Sequence, residues 1–296
     1  MKRNIILVTG GAGFVGSNLI EYFLLKTKLK IISLDNYSTG KKSNHTKNKR
    51  VKYLKGDTNH IYKILHKYKK RICVTFHFGE YARIHQSFTD INECFKSNIS
   101  GTSEVFSFCL ENKIKIIYSA TSASLGNKGL DQGLSPYAFS KSKNLNLLMQ
   151  LKKWYNFKYE ALYFYNVYGN RQIANGWMAT VIGIFEKQYL NGKKLTVVRP
   201  GSQSRKFTHI NDTVRGCYIA WKKNLNRHYS LSNLKSYTIL QVAKMFSKKI
   251  RFINSRLGER NKSSVVKKIG DHKIYNIQCN TSLKKYIENF KANKVK

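Results

Sequence analysis

Five tyrosines in this 296-residue chain are followed four positions later by a lysine. On a helix this spacing can make a phenol a catalytic base, because a nearby ammonium favours the phenolate of a group whose ordinary pKa is about 10. The pairs are Tyr22/Lys26, Tyr37/Lys41, Tyr137/Lys141, Tyr189/Lys193 and Tyr218/Lys222. A chain so rich in both residue types produces the spacing by chance. The surrounding elements must therefore decide which pair does chemistry.

The pair in the segment SPYAFSK has the most informative surroundings. Ser135 can cap a helix whose first residue is Pro136, which places Tyr137 and Lys141 one turn apart on one helix face. The other four pairs lie in the first helix, in a loop or in the C-terminal third, where a surface or core tyrosine beside a solvated lysine is the better interpretation. We therefore predict Tyr137 as the acid/base and Lys141 as the group that favours its phenolate.

A strand precedes this helix and supplies hydroxyl groups. The run KIIYSA, residues 115–120, predicts the strand, and Thr121 and Ser122 follow at its carboxyl end. Thr121 would hydrogen-bond and orient the reacting hydroxyl of a substrate while a cofactor takes the hydride.

The start of the chain predicts a dinucleotide site. The run NIILVT, residues 4–9, is typical of a buried strand, and GGAGFVGSNLIEYFLLK follows it with helical periodicity. Between them Gly10, Gly13 and Gly16 allow a tight turn, close approach of a pyrophosphate and close packing of helix on strand. Amide groups at the helix start would face the phosphates. A tight turn without a ligand is the alternative.

The second predicted strand, KIISLD, ends in Asp35, about twenty residues beyond the glycines. A carboxylate there can accept hydrogen bonds from both ribose hydroxyls and would repel a 2′-phosphate. The combined pattern predicts NAD rather than NADP, although Lys41 and Lys42 lie nearby.

Two more strand-like runs, VKYL and ICVTFHF, alternate with helical segments. The predicted fold class is therefore α/β, a Rossmann-type doubly wound parallel sheet. The C-terminal third is expected to form a smaller α/β substrate lobe. We assign residues 1–165 to the NAD-binding domain and 166–296 to the lobe, and expect the two to be interleaved. Asp57 follows one strand and is expected either to meet the ligand or to cap a helix. His77 is expected to be a packed residue at a strand end.

The composition restricts the class of protein. The formal net charge of +39 suggests a polyanion partner, but the basic residues are spread over the whole length, so we expect solvated faces and no specific nucleic acid. A non-catalytic polyanion-binding protein on a Rossmann scaffold is the minority alternative. The five cysteines are widely spaced and contain no Cys-x-x-Cys pair, which argues against a disulfide framework and a zinc site. With no apolar run of eighteen residues and no signal-peptide pattern, a cytoplasmic protein without a membrane span is expected.

Taken together, these motifs resemble those of the extended short-chain dehydrogenase/reductase family. Within it they are most similar to the nucleotide-sugar epimerase and dehydratase group typified by UDP-glucose 4-epimerase. The resemblance covers about residues 4–270. It rests on the order and spacing of VTGGAGFVGSNL, LDNYSTG, the GD at 56–57, SNISGT, YSATS, SPYAFSK, YFYNVYGNRQ and SRKFTHINDT.

The resemblance implies roles for individual residues. Those implied around NAD are Gly10, Gly13, Phe14, Val15, Gly16, Asp35, Asn36, Asp57, Thr58, Phe78, Gly79, Asn98, Tyr137 and Lys141. Those implied to be catalytic are Tyr137, Lys141 and Thr121, and those around the substrate are Thr121, Ser122, Asn166, Arg205 and Arg256. The two arginines match positions that grip a diphosphate in a forked geometry.

The residues after Thr121 bear on the reaction. Similar 4,6-dehydratases carry Asp-Glu there and related decarboxylases keep a glutamate two residues on, whereas this chain has Ser122 and Ala123. Neither can transfer protons in that way, so the prediction is a nucleotide-sugar 4-epimerase that removes a hydride and returns it to the other face. A dehydrogenase or reductase, or a 4,6-dehydratase of the same family, is the alternative.

Two further expectations come from the resemblance. The segment HFGEYARI, with Gly79 and Glu80, differs from the commoner alanine-rich version and suggests a branch that acts on a less common sugar. Relatives commonly form homodimers through helices equivalent to 93–112 and 137–156. The apolar side chains available there are Val105, Phe106, Phe108, Leu147, Leu148 and Leu151, which suit either the core or a partner.

Overall fold

The computed structural model describes residues 3–124, 131–258, 265 and 267–293. Its strands are β1 (Ile5–Thr9), β2 (Lys30–Asp35), β3 (Val51–Lys55), β4 (Ile72–His77), β5 (Lys115–Thr121), β6 (Tyr159–Phe164), β7 (Val167–Tyr168), β8 (Leu195–Val198), β9 (Ser204–Lys206), β10 (Thr208–His209), β11 (His228–Asn233), β12 (Ser236–Thr238), β13 (Ile250–Ile253), β14 (Lys268–Ile269) and β15 (His272–Cys279). Its α-helices are α1 (Phe14–Lys26), α2 (Ile61–Leu65), α3 (Ile91–Phe95), α4 (Thr102–Glu111), α5 (Pro136–Tyr155), α6 (Val181–Leu190), α7 (Ile210–Lys223), α8 (Ile239–Phe246) and α9 (Leu283–Ala292).

One nine-stranded sheet organises the described chain, with the strand order β14-β15-β11-β6-β5-β4-β1-β2-β3. Every neighbouring pair is parallel except β14 and β15. β1 is buried along its whole length, as a strand covered by helices on both faces must be. This is the doubly wound α/β sheet predicted from the alternating pattern. Its chain reversal beside β1 places ligands at the carboxyl ends of β1 and β4.

The C-terminal part of the chain contributes to this sheet and also forms a separate lobe. β11 and β15 lie in the main sheet, so residues on both sides of the predicted boundary at 165/166 share it. The lobe contains the strand pairs β8/β13 and β9/β12, with a core built around Phe185, Phe207 and Phe246. No helix in the described part of the chain is long and apolar enough to cross a membrane.

The apolar side chains expected to serve either the core or a dimer lie mostly in the core. Val105, Phe106, Phe108 and Leu148 are all at most 1% exposed, because α4 and α5 pack on the same face of the sheet. Dimerisation stays a prediction, and it would have to use other side chains of these helices.

Two buried histidines make the core sensitive to acid. Burial lowers the pKa of His77 to about 4. The ring nitrogens of His228 are hydrogen-bonded to the hydroxyls of Tyr159 and Tyr163. Burial lowers the pKa of His228 to about 3, and the charges of His272 and Lys152 add to this shift. His77 lies between the hydroxyls of Thr9 and Thr102, as a packed strand-end residue should. Both imidazoles are therefore neutral in the folded protein.

We expect stability to fall as the pH drops below about 6.5, the ordinary pKa of histidine. The unfolded chain then binds protons that the folded chain excludes, so each histidine should cost about 2 kcal/mol of unfolding free energy between pH 7 and pH 5. Urea denaturation at the two pH values measures this. His228→Gln should reduce the pH dependence, whereas a variant at the exposed His60, His60→Gln, should keep it. Equal stability of the parent protein at pH 7 and pH 5 would contradict the assignment.

Candidate active site

A cavity of about 730 Å³ opens at the carboxyl ends of β1, β2, β4 and β5 and extends to the C-terminal lobe. Most of the residues predicted for the site line it: Gly10, Gly13, Phe14, Val15, Gly16, Asp35, Asn36, Asp57, Thr58, Phe78, Gly79, Thr121, Ser122, Tyr137, Lys141, Asn166 and Arg205. Because parallel strands end at one edge of a sheet, residues more than a hundred positions apart meet there.

The glycine turn between β1 and α1 forms one wall of the cavity. Gly10 has φ +70°, and a Cβ on it would lie 2.7 Å from the carbonyl oxygen of Phe78. A Cβ on Gly16 would lie 2.2 Å from the carbonyl oxygen of Gly10, so α1 packs directly on the turn. The N-cap residue Gly13 has no side chain to accept hydrogen bonds from the first turn of α1. The free amides at this helix start suit a phosphate group.

Asp35 is the last residue of β2, and its side chain contacts the same glycine turn. Its Oδ2 accepts from the amide of Ala12 at 2.9 Å, and its Oδ1 accepts from the amide of Tyr37 at 2.8 Å. Burial raises the pKa of Asp35, although these backbone hydrogen bonds favour the charged form. Each carboxylate oxygen keeps a second lone pair, so Asp35 can still accept from ribose hydroxyls.

Asp57 caps a short turn at the edge of the cavity, and its contact with a ligand stays a prediction. Its Oδ1 accepts from the amide of Asn59 at 2.9 Å, which caps the 3₁₀ turn Thr58–His60, and Oδ2 accepts from Asn36 at 3.0 Å. Burial would raise the pKa of Asp57, but the hydrogen bonds from Asn59 and Asn36 lower it below its usual value. The carboxylate stays charged at the edge of the cavity.

Tyr137 and Thr121 meet at the inner end of the cavity. The Ser135 hydroxyl accepts from the amide of Ala138 at 3.1 Å and starts α5 at Pro136, as predicted. The phenol of Tyr137 is hydrogen-bonded to the Thr121 side chain. Burial raises the pKa of Tyr137 to about 12, and the Thr121 hydrogen bond opposes that rise. In the protein alone the phenol is therefore neutral near pH 7.

Lys141 lies one turn further along α5 and is 3% exposed. Its Nζ donates to the Ser119 carbonyl oxygen and forms an ion pair with Glu80. Burial lowers the pKa of Lys141, and the Glu80 carboxylate opposes that shift. In the sequence Glu80 stands out only as a departure from the alanine-rich pattern, and no local feature indicates its contact with Lys141.

Arg83 is a second residue that sequence reasoning missed. Its Nε and Nη1 donate to the carbonyl oxygens of Met178 and Ala82 at 2.9 Å and 2.7 Å, and it lines the cavity together with Tyr137. The sequence feature that could have indicated Arg83 is its place three residues after Glu80, in the segment that follows the central strand β4.

Two predicted residues do not line the cavity. Asn98 is fully buried behind it, where its side chain binds the backbone of Tyr81 on both sides: Oδ1 accepts from the amide and Nδ2 donates to the carbonyl oxygen. Arg256 is exposed. Any contact of Asn98 with a cofactor would thus be indirect, through the position of Tyr81, and the role of Arg256 stays a prediction.

A match to a known protein-family model assigns the chain to a family. The family model described as "NAD dependent epimerase/dehydratase family" matches residues 6–232, about three quarters of the chain. The chain belongs to this family. The match includes the glycine turn, Asp35, Thr121 and the Tyr137/Lys141 pair, and the NAD dependence of the family agrees with the cofactor predicted from those residues.

Individual members of the family resemble the chain at moderate identity. The ADP-L-glycero-D-manno-heptose-6-epimerase of Brachyspira hyodysenteriae is 30% identical over 227 residues, which cover 71% of this chain and 70% of that protein. The UDP-N-acetylglucosamine 4-epimerase of Methanobrevibacter ruminantium M1, in complex with UDP-N-acetylmuramic acid, has a TM-score of 0.79 at 27% identity, with 89% of each chain covered. A variant of UDP-glucuronic acid 4-epimerase from Bacillus cereus, solved with a fluorinated UDP-sugar and NAD, has a TM-score of 0.80 at 27% identity over 89% of each chain. These two solved structures thus share the fold of this chain.

Proposed function

We propose that this family member is an NAD-dependent nucleotide-sugar epimerase that inverts a sugar hydroxyl, most simply at C4, by transient oxidation. The observation that carries the proposal is the hydrogen-bonded Tyr137–Thr121 pair at the inner end of the cavity, with Lys141 one helical turn away. The solved nucleotide-sugar epimerases that share this fold support the substrate class.

The residues present fit NAD. The glycine turn at Gly10 leaves no room for a side chain, the uncapped start of α1 offers amides to the pyrophosphate, and Asp35 can accept from a ribose. When bound, NAD supplies a hydride acceptor that can give the hydride back. A carboxylate at the ribose also disfavours the extra phosphate of NADP.

In this proposal the chain's own residues transfer the proton of the sugar hydroxyl. Tyr137 would accept the proton of the sugar hydroxyl as the carbon is oxidised and return it when the carbon is reduced, and Thr121 would hold the reacting oxygen by a hydrogen bond. Since the pKa of Tyr137 is about 12 in the protein alone, this step requires additional positive charge near the phenol.

The diphosphate of the substrate would extend toward the C-terminal lobe. Arg205 on β9 and Asn166 after β6 line that end of the cavity. Asn166 donates to the Lys206 carbonyl oxygen at 3.0 Å, which ties the two segments together. A guanidinium at this place can bind a phosphate through two parallel hydrogen bonds.

The surroundings of Thr121 argue against dehydration. Ser122 and Ala123 occupy the positions where an extra acid and base would be needed. Glu80 is the carboxylate beside Lys141, but both of its oxygens already accept hydrogen bonds or an ion pair. These contacts hold the carboxylate within the protein.

A panel of UDP-, GDP-, CDP- and dTDP-linked sugars tests the proposal. The protein should convert one of them to its epimer without net absorbance change at the reduced-nicotinamide band, because the hydride is returned. In D₂O the product should carry no carbon-bound deuterium, since the hydrogen that moves never exchanges with solvent. Stoichiometric consumption of added NAD would identify a dehydrogenase or reductase, and release of a 4-keto-6-deoxy sugar would identify a dehydratase.

A further inference from the structure

Glu80 occupies the centre of a polar cluster beneath the catalytic pair. Its Oε1 accepts from the hydroxyl of Thr102 at 3.1 Å, the hydroxyl of Tyr118 at 3.0 Å and the Nδ2 of Asn144 at 3.2 Å. Its Oε2 pairs with the Lys141 Nζ and lies 3.4 Å from the hydroxyl of Ser119, which donates to the His77 carbonyl oxygen at 2.9 Å. The side chains of Glu80 and Lys141 are each 3% exposed. The carboxylate is thus surrounded by hydrogen-bond donors of the protein.

The same cluster fixes the direction of the lysine. Lys141 Nζ donates to Glu80 and to the Ser119 carbonyl oxygen, and it lies 4.3 Å from the centre of the Tyr118 ring. An ammonium has three donors, so one is left for the cavity that Lys141 lines. Lysine is a flexible point charge, and here both its position and its net effect on the site depend on Glu80.

We propose that Glu80 is a positioning residue whose carboxylate holds the Lys141 ammonium and offsets its charge, so that Tyr137 remains a neutral phenol until other positive charge enters the cavity. This inference rests on the proposed role of Tyr137 as the acid/base. A buried carboxylate at ion-pair distance cancels most of the field that the ammonium would otherwise exert on a phenol one helical turn away. The lysine of this chain would thus orient groups rather than activate the phenol by charge.

Other groups around the pair come from several elements. The titratable and charged ones are His77 from β4, Tyr118 from β5, Cys94 from α3, Tyr137 and Lys141 from α5, and Arg83 from the segment after Glu80. His77, Tyr118 and Cys94 are neutral near pH 7, because burial lowers the pKa of the histidine and raises the pKa of the other two. The charge of Arg83 opposes the rise in the pKa of Tyr137, and its guanidinium donates to the carbonyl oxygens of Met178 and Ala82.

A fluorine probe on the phenol tests this directly. The holoprotein would carry 3-fluorotyrosine at position 137, and its ¹⁹F chemical shift would be followed against pH to find the midpoint of phenol ionisation. Glu80→Gln should lower that midpoint by about one pH unit, a tenfold gain in phenolate at a given pH. Glu80→Ala, which leaves space for water beside the ammonium, should shift it in the same direction. Glu80→Asp, which keeps the charge, should return it toward the parent value.

The matched control is Glu160→Gln. Glu160 is also fully buried and pairs with a lysine, Lys115, at 2.7 Å, but the pair lies at the opposite end of the strands. Its loss should leave the midpoint of position 137 unchanged. A midpoint that stays constant or rises in both Glu80→Gln and Glu80→Ala, or one that Glu160→Gln shifts equally, would overturn the proposal. The titration needs no turnover, so its failure is separate from a failure of the sugar panel.

Discussion

Replacing Tyr137 with phenylalanine should reduce the rate of epimer formation by at least about a thousandfold while the protein stays folded and binds NAD. General acid/base catalysis contributes about 10² to 10⁴ in rate, and here one phenol is proposed to carry the proton in both halves of the reaction. The ring would keep its packing at the start of α5, and the glycine turn is untouched. Turnover of the matched sugar, NAD affinity and the circular dichroism spectrum together measure the effect.

Another of the five tyrosine–lysine pairs supplies the control. Tyr22→Phe changes a partly buried tyrosine with the same spacing to a lysine, but Tyr22 lies on α1 and packs against Tyr218, outside the cavity. It should leave turnover within about twofold of the parent, because the lost hydroxyl lies outside the cavity. If Tyr137→Phe kept a tenth or more of the parent activity, the acid/base assignment would be wrong.

Replacing Gly16 with alanine should damage both stability and cofactor binding. The new Cβ would lie 2.2 Å from the Gly10 carbonyl oxygen and 2.8 Å from the Gly11 Cα. Both are backbone atoms, so the clash is relieved only if α1 moves away from the turn, and the buried side chains of α1 would move with it. We expect the unfolding free energy to fall by about 3 kcal/mol or more and NAD binding to be lost.

Gly133→Ala is the matched substitution, because an added Cβ there meets nothing within 4 Å and the glycine is exposed. It should leave the unfolding free energy unchanged or slightly raised, since alanine restricts the unfolded chain. Urea denaturation and calorimetric titration with NAD distinguish the two variants. A Gly16→Ala protein with parental stability and NAD affinity would show that the turn does not have the close packing described above.

Local sequence determined the elements that carry the chemistry. The strands ending at Asp35 and Thr121 and the helix beginning at Pro136 were predicted to within a residue or two. Each is set by short-range features: a β-branched apolar run, a serine cap or a proline at the first helical position. The glycine spacing likewise requires only neighbouring residues. These features also made it possible to choose Tyr137 from five equivalent pairs.

Tertiary structure decided what surrounds those groups. Glu80 and Lys141 are 61 residues apart, and Asn98 holds the backbone of Tyr81 rather than facing the cavity. β11 and β15 join the main sheet although they lie far beyond the predicted domain boundary. Contacts of this kind depend on which strands become neighbours and how helices pack across them, and no local pattern records that choice. The sequence therefore predicted which groups react, whereas the charge that acts on Tyr137 depends on burial and on a distant carboxylate, which only the folded chain brings together.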